Sequence, residues 1–207
     1  MPLITISHQV GSEGRRIGQM VAQKLKLPYI DREIVQGVAQ RLGITEEVAE
    51  SLDEHADHMV DQIFKAFSMD LAYPMDEDET NRFVDVLTYS QATQAVLDTV
   101  AKSGNAVIAG HGANFYLAKR ANFLSVYIFA PLEKRIEKVM QRDKVDHNEA
   151  TRMVHHNDTE RCHYIKSIYK ADWRDPDNYH LLINSAYTSP ELASELIVKA
   201  SDCCKSA

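Results

Sequence analysis

Eleven residues near the start of this 207-residue chain, Ser7-His8-Gln9-Val10-Gly11-Ser12-Glu13-Gly14-Arg15-Arg16-Ile17, carry its densest chemistry. The β-branched and apolar run Leu3 to Ser7 leads in, Gly11 and Gly14 bend the chain, and helical apolar spacing begins at Ile17. A strand, a glycine-bearing loop and a helix start bring several backbone N–H groups and a positive dipole end to one point. Such a point binds anions, and phosphate is its usual guest. The loop departs from the pattern G-x-x-x-x-G-K-[ST]: it has no lysine, and no Ser or Thr follows Gly14. A tight strand-to-helix turn accounts for the same two glycines, so both readings stand at this point.

Other reactive residue types are scattered. His155 and His156 are adjacent and so point to different sides of a helix; with His163 they read as solvated residues, not a metal site. Cys162, Cys203 and Cys204 lack metal-ligand spacing and make a poor disulfide framework. Charge is unevenly spread: residues 46–80 hold 12 acids against the single base Lys65, while residues 1–45 sum to +3 and 131–174 to +2. That distribution argues against a broad nucleic-acid surface, which demands clustered Lys and Arg. It leaves room for a small anionic ligand held by a few arginines. No apolar run reaches the roughly 18 residues that cross a bilayer. The start runs straight into a strand without a signal-peptide pattern, so a reducing cytoplasm is the expected setting.

The elements that must position these residues follow from periodicity. Ile17, Met20, Val21 and Leu25 predict a helix stopped by Pro28; Pro28 to Ile30 predicts a short strand before Asp31; Ile34, Val35, Val38 and Leu42 predict a helix closed by Gly43. Val48, Leu52, Met59, Ile63 and Phe67 mark a long acidic helix, interrupted by Pro74 and the run Asp76 to Glu79. Phe83, Val86, Leu87, Leu97 and Val100 mark another, so residues 45–103 read as a helical insertion. Ala106 to Ala109 and Leu124 to Ala130 predict strands, Leu132 to Met140 a helix, 147–170 a helical pair or one long helix, and Tyr179 to Ile183 a last strand. Ser189-Pro190 gives an N-cap with proline at the first helical position. Strands separated by helices imply an α/β fold with a parallel sheet covered on both faces.

Six ordered stretches, ITISHQVGSEGRRIG, LPYIDREIV, AGHGANF, VYIFAPLEKRI, NDTERCHYI and DWRDPDNYHLLINS, resemble the cytidylate-kinase-like family, relatives of bacterial cytidylate kinase within the P-loop nucleoside monophosphate kinases. The resemblance covers nearly the whole chain, most weakly in the acidic insertion. It implies a single P-loop kinase-like domain over 1–207, with 45–103 on the acceptor side and 142–175 as a lid. The family's loop commonly reads G-S-x-G-R, so the missing lysine is shared with the family.

The resemblance also implies MgATP as phosphoryl donor and a small phosphorylated acceptor, nominally CMP. Gly11, Ser12, Glu13, Gly14, Arg15 and Arg16 would cradle donor phosphates, with Arg15 or Arg16 standing in for the lysine and Ser12 near Mg²⁺. Phosphoryl transfer needs such cations because its catalysis is mostly positioning and electrostatics. Asp31 would hold the metal's water shell or orient the acceptor; a helix N-cap is its ordinary alternative. Asp158 and Arg161 match a D-x-x-R element that grips ribose hydroxyls and phosphate; an i,i+3 ion pair is theirs. The arginine that normally lies four positions before that acid is Val154. Arg135 and Arg142 would face the triphosphate, and Asn184 would border the adenine.

One departure touches base choice. Cytidylate kinases carry Arg-Asp after the third strand's glycine, where this chain reads Gly110-His111-Gly112-Ala113-Asn114. His111 and Asn114 remain acceptor-side candidates, but the acid that would accept from the cytosine amino group is absent there. A non-catalytic nucleotide-binding protein on the same fold is therefore the second reading. A third treats the acidic helices at 45–103 as a docking or homodimer surface.

Overall fold

The computed structural model describes residues 3–47, 49, 86–119 and 123–203. The acidic helix expected from Val48 to Phe67, the interruption at Pro74 to Glu79, Phe83 and Cys204 lie outside the described residues.

Five parallel strands form the centre in the order β2-β3-β1-β4-β5: β1 Leu3–His8, β2 Tyr29–Ile30, β3 Ala106–Ala109, β4 Phe123–Phe129 and β5 Leu181–Asn184. β1 lies between β3 and β4, with Leu3 opposite Ala106 on one side and Phe123 on the other. Helices α1 (Gly14–Leu25), α2 (Arg32–Leu42), α3 (Val86–Ser103), α4 (Ala113–Leu117), α5 (Leu132–Asp143), α6 (His147–Tyr169) and α7 (Pro190–Cys203) connect and flank them. This is a P-loop NTPase-type sheet covered on both faces.

Alternation along the strands divides the core. Ile4 and Ile6 of β1 meet Ile17 and Val21 of α1 and Ile197 of α7 on one face; Leu3 meets the layer of Ile34 and Val38 of α2 and Leu97 of α3 on the other. Burying each such side chain contributes about 1.5–3 kcal/mol. A third cluster of Tyr127, Trp173, Tyr179 and Ile165 lies beside these, and a fourth, with Ile136, Val139, Ala150 and Val154, joins α5 to α6.

Local chemistry sets the helix ends much as its residues predict. Gly43 adopts φ 69° and closes α2. Ser189 Oγ accepts from the Leu192 N–H at 3.2 Å. The stretch expected to be helical at 147–170 is one 23-residue helix, α6 (His147–Tyr169), started by Asp146, whose carboxylate accepts from the Glu149 N–H at 2.8 Å. The last strand begins later than expected. Tyr179 follows the 3-10 turn Pro176–Asn178 and donates its hydroxyl to the Trp173 carbonyl, so β5 starts at Leu181.

Candidate active site

Parallel strands open their carboxyl ends to the same side, where α/β sheets bind ligands. Here those ends, the loop after β1, the start of α1 and one face of α6 enclose a cavity of about 950 Å³.

The loop is held from beneath. Ser12 is fully buried, and its hydroxyl donates to the carbonyls of Gln9 at 2.7 Å and Ile128 at 3.2 Å. The Gln9 side chain in turn accepts from the Ala130 N–H at 3.1 Å. Gly11 sits at φ 81°, and a Cβ there would stand 2.4 Å from the Arg135 carbonyl oxygen at the start of α5. Gly14 passes His8 so closely that a Cβ would lie 2.2 Å from the histidine's own. Glu13 takes the left-handed conformation at φ 59° and makes no side-chain cap, and the first turn of α1 has no acid. The amides of that turn therefore point at the cavity mouth with the dipole's positive end.

Cations surround this point, each already beside a carboxylate. Glu13 pairs with Arg16 at 3.4 Å and with Lys138 of α5 at 3.3 Å, and Arg16 also reaches Glu191. Arg15 Nε lies 2.9 Å from Asp31 Oδ2, while His111 Nε2 lies 3.7 Å from Oδ1. The Tyr29 hydroxyl donates to Asp31 Oδ2 at 3.4 Å. Burial alone would raise the Asp31 pKa; the hydrogen bond from His111 and the charge of Arg15 outweigh it, and the net direction is down. Asp31 makes no side-chain cap to α2; its own N–H is served by Glu33 Oε2 at 3.0 Å. Its carboxylate is thus directed at the cavity cations, not at the helix.

Beneath them lies His8, half-buried on the cavity wall, its pKa pushed down to about 3 by desolvation and then by Arg161. It is a neutral imidazole at physiological pH. Arg161 donates to the His8 carbonyl, with its guanidinium 5.9 Å from the Trp173 ring centre. Asn114, also buried, accepts from the Ser7 hydroxyl at 3.0 Å.

The cavity wall includes Gly11, Glu13, Gly14, Arg15 and Arg16 from the loop and the start of α1. Asp31, His111, Asn114, Arg142 and Arg161 join them. Five expectations meet a different geometry. Ser12 is turned to the sheet, fully buried and off the cavity wall, with its hydroxyl donating to backbone carbonyls. Asp158 does not pair with Arg161; both its oxygens are taken by Arg135, at 3.1 and 2.9 Å. Arg135 itself is 5% exposed and also donates to the Ala130 carbonyl. Asn184 lies outside the cavity wall and accepts from the Ala186 N–H. Arg142, though at the wall, is drawn to Asp143 by two contacts of 2.7 and 2.6 Å.

Sequence reasoning passed over His8, Lys138 and Glu160, all on the wall. Lys138 stands one turn from Arg142 on the same helix face, a spacing that marks it once α5 is known to border the loop. His155, His156 and His163 are exposed, as their pattern predicts. Among the described residues no group of three or more His, Cys, Asp or Glu gathers to hold a metal ion, and none of their helices is long and apolar enough to cross a membrane.

Residues 3–187 match the model of the cytidylate kinase-like family. A cytidylate kinase of Methanocaldococcus jannaschii is 24% identical over 205 residues, spanning 97% of each chain. Among solved structures, an uncharacterized protein from Eubacterium ventriosum superposes with a TM-score of 0.69 at 19% identity, covering 98% of this chain and 99% of that one. A shikimate kinase from Bacteroides thetaiotaomicron has a TM-score of 0.53 at 12% identity, covering 99% and 98%. Both structural likenesses are of fold.

Proposed function

The chain belongs to the cytidylate kinase-like family, and from that premise we propose that it moves the γ-phosphoryl group of MgATP to a phosphorylated nucleoside acceptor, nominally CMP. The observation that carries this reading is the meeting, in one cavity, of the uncapped α1 start with the Arg15–Asp31–His111 cluster. The first suits donor phosphates, the second an acceptor phosphate.

In this reading an oxygen of the acceptor phosphate attacks the γ-phosphorus. The bond to the β–γ bridging oxygen breaks, and ADP leaves with that oxygen. An acceptor phosphate dianion needs no general base, so the protein's work is alignment and charge neutralisation. The α1 amides hold the donor phosphates. Arg15, Arg16 and Lys138 supply the positive charge that a loop lysine would bring, Lys138 from a neighbouring helix. Arginine offers a planar fork and lysine a point charge, so the substitution is one of geometry as well as position. Arg161 and His111 face the acceptor phosphate, and Arg142 with residues 142–175 closes over the site to exclude water.

Mg²⁺ takes one or two carboxylates, waters and substrate oxygens. Asp31, ionised and on the cavity wall, fits that demand; the hydroxyl of Ser12, buried and off that wall, does not. Bound there, the ion would neutralise charge on the phosphates.

The second reading, a nucleotide-binding protein without transfer, draws on one feature: Glu13 places a negative charge inside the phosphate loop, against Arg16 and Lys138. One experiment separates the two. ADP formation from MgATP is followed with CMP, dCMP, UMP, AMP, GMP and no acceptor, for the wild type and Arg15→Ala. Acceptor-dependent turnover that Arg15→Ala abolishes supports the kinase. Tight MgATP binding without turnover supports the second reading, and no binding sinks both.

A further inference from the structure

Among the described residues three acids line the cavity, Glu13, Asp31 and Glu160. Glu13 is held by Arg16 and Lys138, and Asp31 by Arg15, His111 and Tyr29. Glu160 differs: its Oε1 lies 3.8 Å from His156 Nδ1, and its Oε2 is buried with no hydrogen-bond partner. A carboxylate oxygen removed from water without a donor is costly, and such an atom persists where something else supplies the donor.

Its surroundings narrow what that is. Asn157, Glu160, Arg161 and Tyr164 share the face of α6 that lines the cavity, with Phe115 and Trp173 on the same wall. Flat aromatic rings beside an orphaned carboxylate oxygen and a guanidinium suit a planar, donor-bearing group attached to a phosphate. Asp158, the other acid expected to grip the acceptor's nucleoside, does not offer a partnerless oxygen of this kind, since Arg135 forks it, and Gly112 stands where the family's Arg-Asp pair has its acid.

We propose that Glu160 is a specificity-determining residue, accepting hydrogen bonds from N–H or O–H donors on the nucleoside part of the acceptor. It thereby supplies, from α6, the acid that the segment after β3 lacks. The inference rests on the kinase reading above. Two donors share this chemistry, the exocyclic amino group of a base and the hydroxyls of ribose, and the test tells them apart.

The full-length wild type, Glu160→Gln and Glu160→Ala are compared by calorimetric binding of CMP, UMP and dCMP, by steady-state kinetics with the same acceptors, and by MgATP binding. Glutamine keeps the shape but presents both a donor and an acceptor, so it tolerates a keto group where glutamate does not. If Glu160 reads an amino group, the preference for CMP over UMP falls about tenfold or more in Glu160→Gln and the CMP-to-dCMP ratio holds. If it reads ribose, the CMP-to-dCMP ratio falls and the CMP-to-UMP ratio holds. In either case CMP binds about thirtyfold more weakly to Glu160→Ala, the change appears in KM more than in kcat, and MgATP binding stays within twofold. Both ratios and the CMP affinity within twofold of wild type in both variants would overturn the proposal alone. A wild type that binds neither MgATP nor any of the three acceptors would overturn the kinase reading and this inference together.

Discussion

The guanidinium of Arg135 grips the carboxylate of Asp158 through both terminal nitrogens, at 3.1 and 2.9 Å, across 23 residues of sequence. This fork ties α5 to α6 beside the phosphate loop, because the Arg135 carbonyl is also the atom that Gly11 approaches.

Removing one partner of this pair leaves a largely buried charge without compensation, which costs about 3–5 kcal/mol, whereas an apolar pair of similar volume is nearly neutral. Arg135→Met therefore unfolds at lower denaturant, and Arg135→Met with Asp158→Leu recovers most of the loss. Urea unfolding of the single and double variants measures the coupling; additive losses would refute a direct pair.

Gly11 is required twice over, by its φ of 81° and by the backbone oxygen that a Cβ would strike. Gly11→Ala should cost about 3 kcal/mol through strain and overpacking, lowering Tm by about 10 °C for a domain of this size. MgATP affinity should fall with it, since the loop cannot keep its path. Unchanged Tm in differential scanning calorimetry would show that the loop moves aside at little cost.

Glu13 is a non-glycine residue at φ 59° whose partners Arg16 and Lys138 are half-exposed. Glu13→Gly relieves about 1 kcal/mol of backbone strain, while the lost surface pairs are worth little. Stability should rise slightly, and MgATP should bind about tenfold more tightly as a like charge leaves the loop. Glu13→Ala, which keeps the strain, should share the gain in affinity but not in Tm. Weaker nucleotide binding in both variants would instead assign Glu13 a direct part in holding the donor.

Asp31 carries a lowered pKa, so its carboxylate stabilises the fold above the unfolded value near 3.9 and loses that contribution as pH falls through the lower folded value. The Tm difference between wild type and Asp31→Asn should shrink below about pH 4. A difference that grows as pH falls below about 4 would contradict the ion pairs drawn to Asp31. His8, neutral above about pH 3, should contribute no limb to an activity profile between pH 5 and 9.

Much of the architecture is legible in the residues alone, because short-range backbone preferences dictate it. The apolar run Leu3 to Ser7, the spacing from Ile17 to Leu25, Gly43 and Ser189-Pro190 each act on neighbours a few residues away, and the observed elements follow them closely. The strand-to-helix glycine loop likewise marks the candidate anion site before any contact is known. What those patterns do not contain is partnership. Ser12 meets a carbonyl 116 residues on, Glu13 meets Lys138, Asp31 turns from its own helix to Arg15 and His111, and Arg135 takes Asp158 away from the cavity. Each of these side chains has several partners it could serve with equal local cost. Only the packing of β1 between β3 and β4, which brings α1, α5 and α6 to one edge, decides which partner lies within 3 to 4 Å.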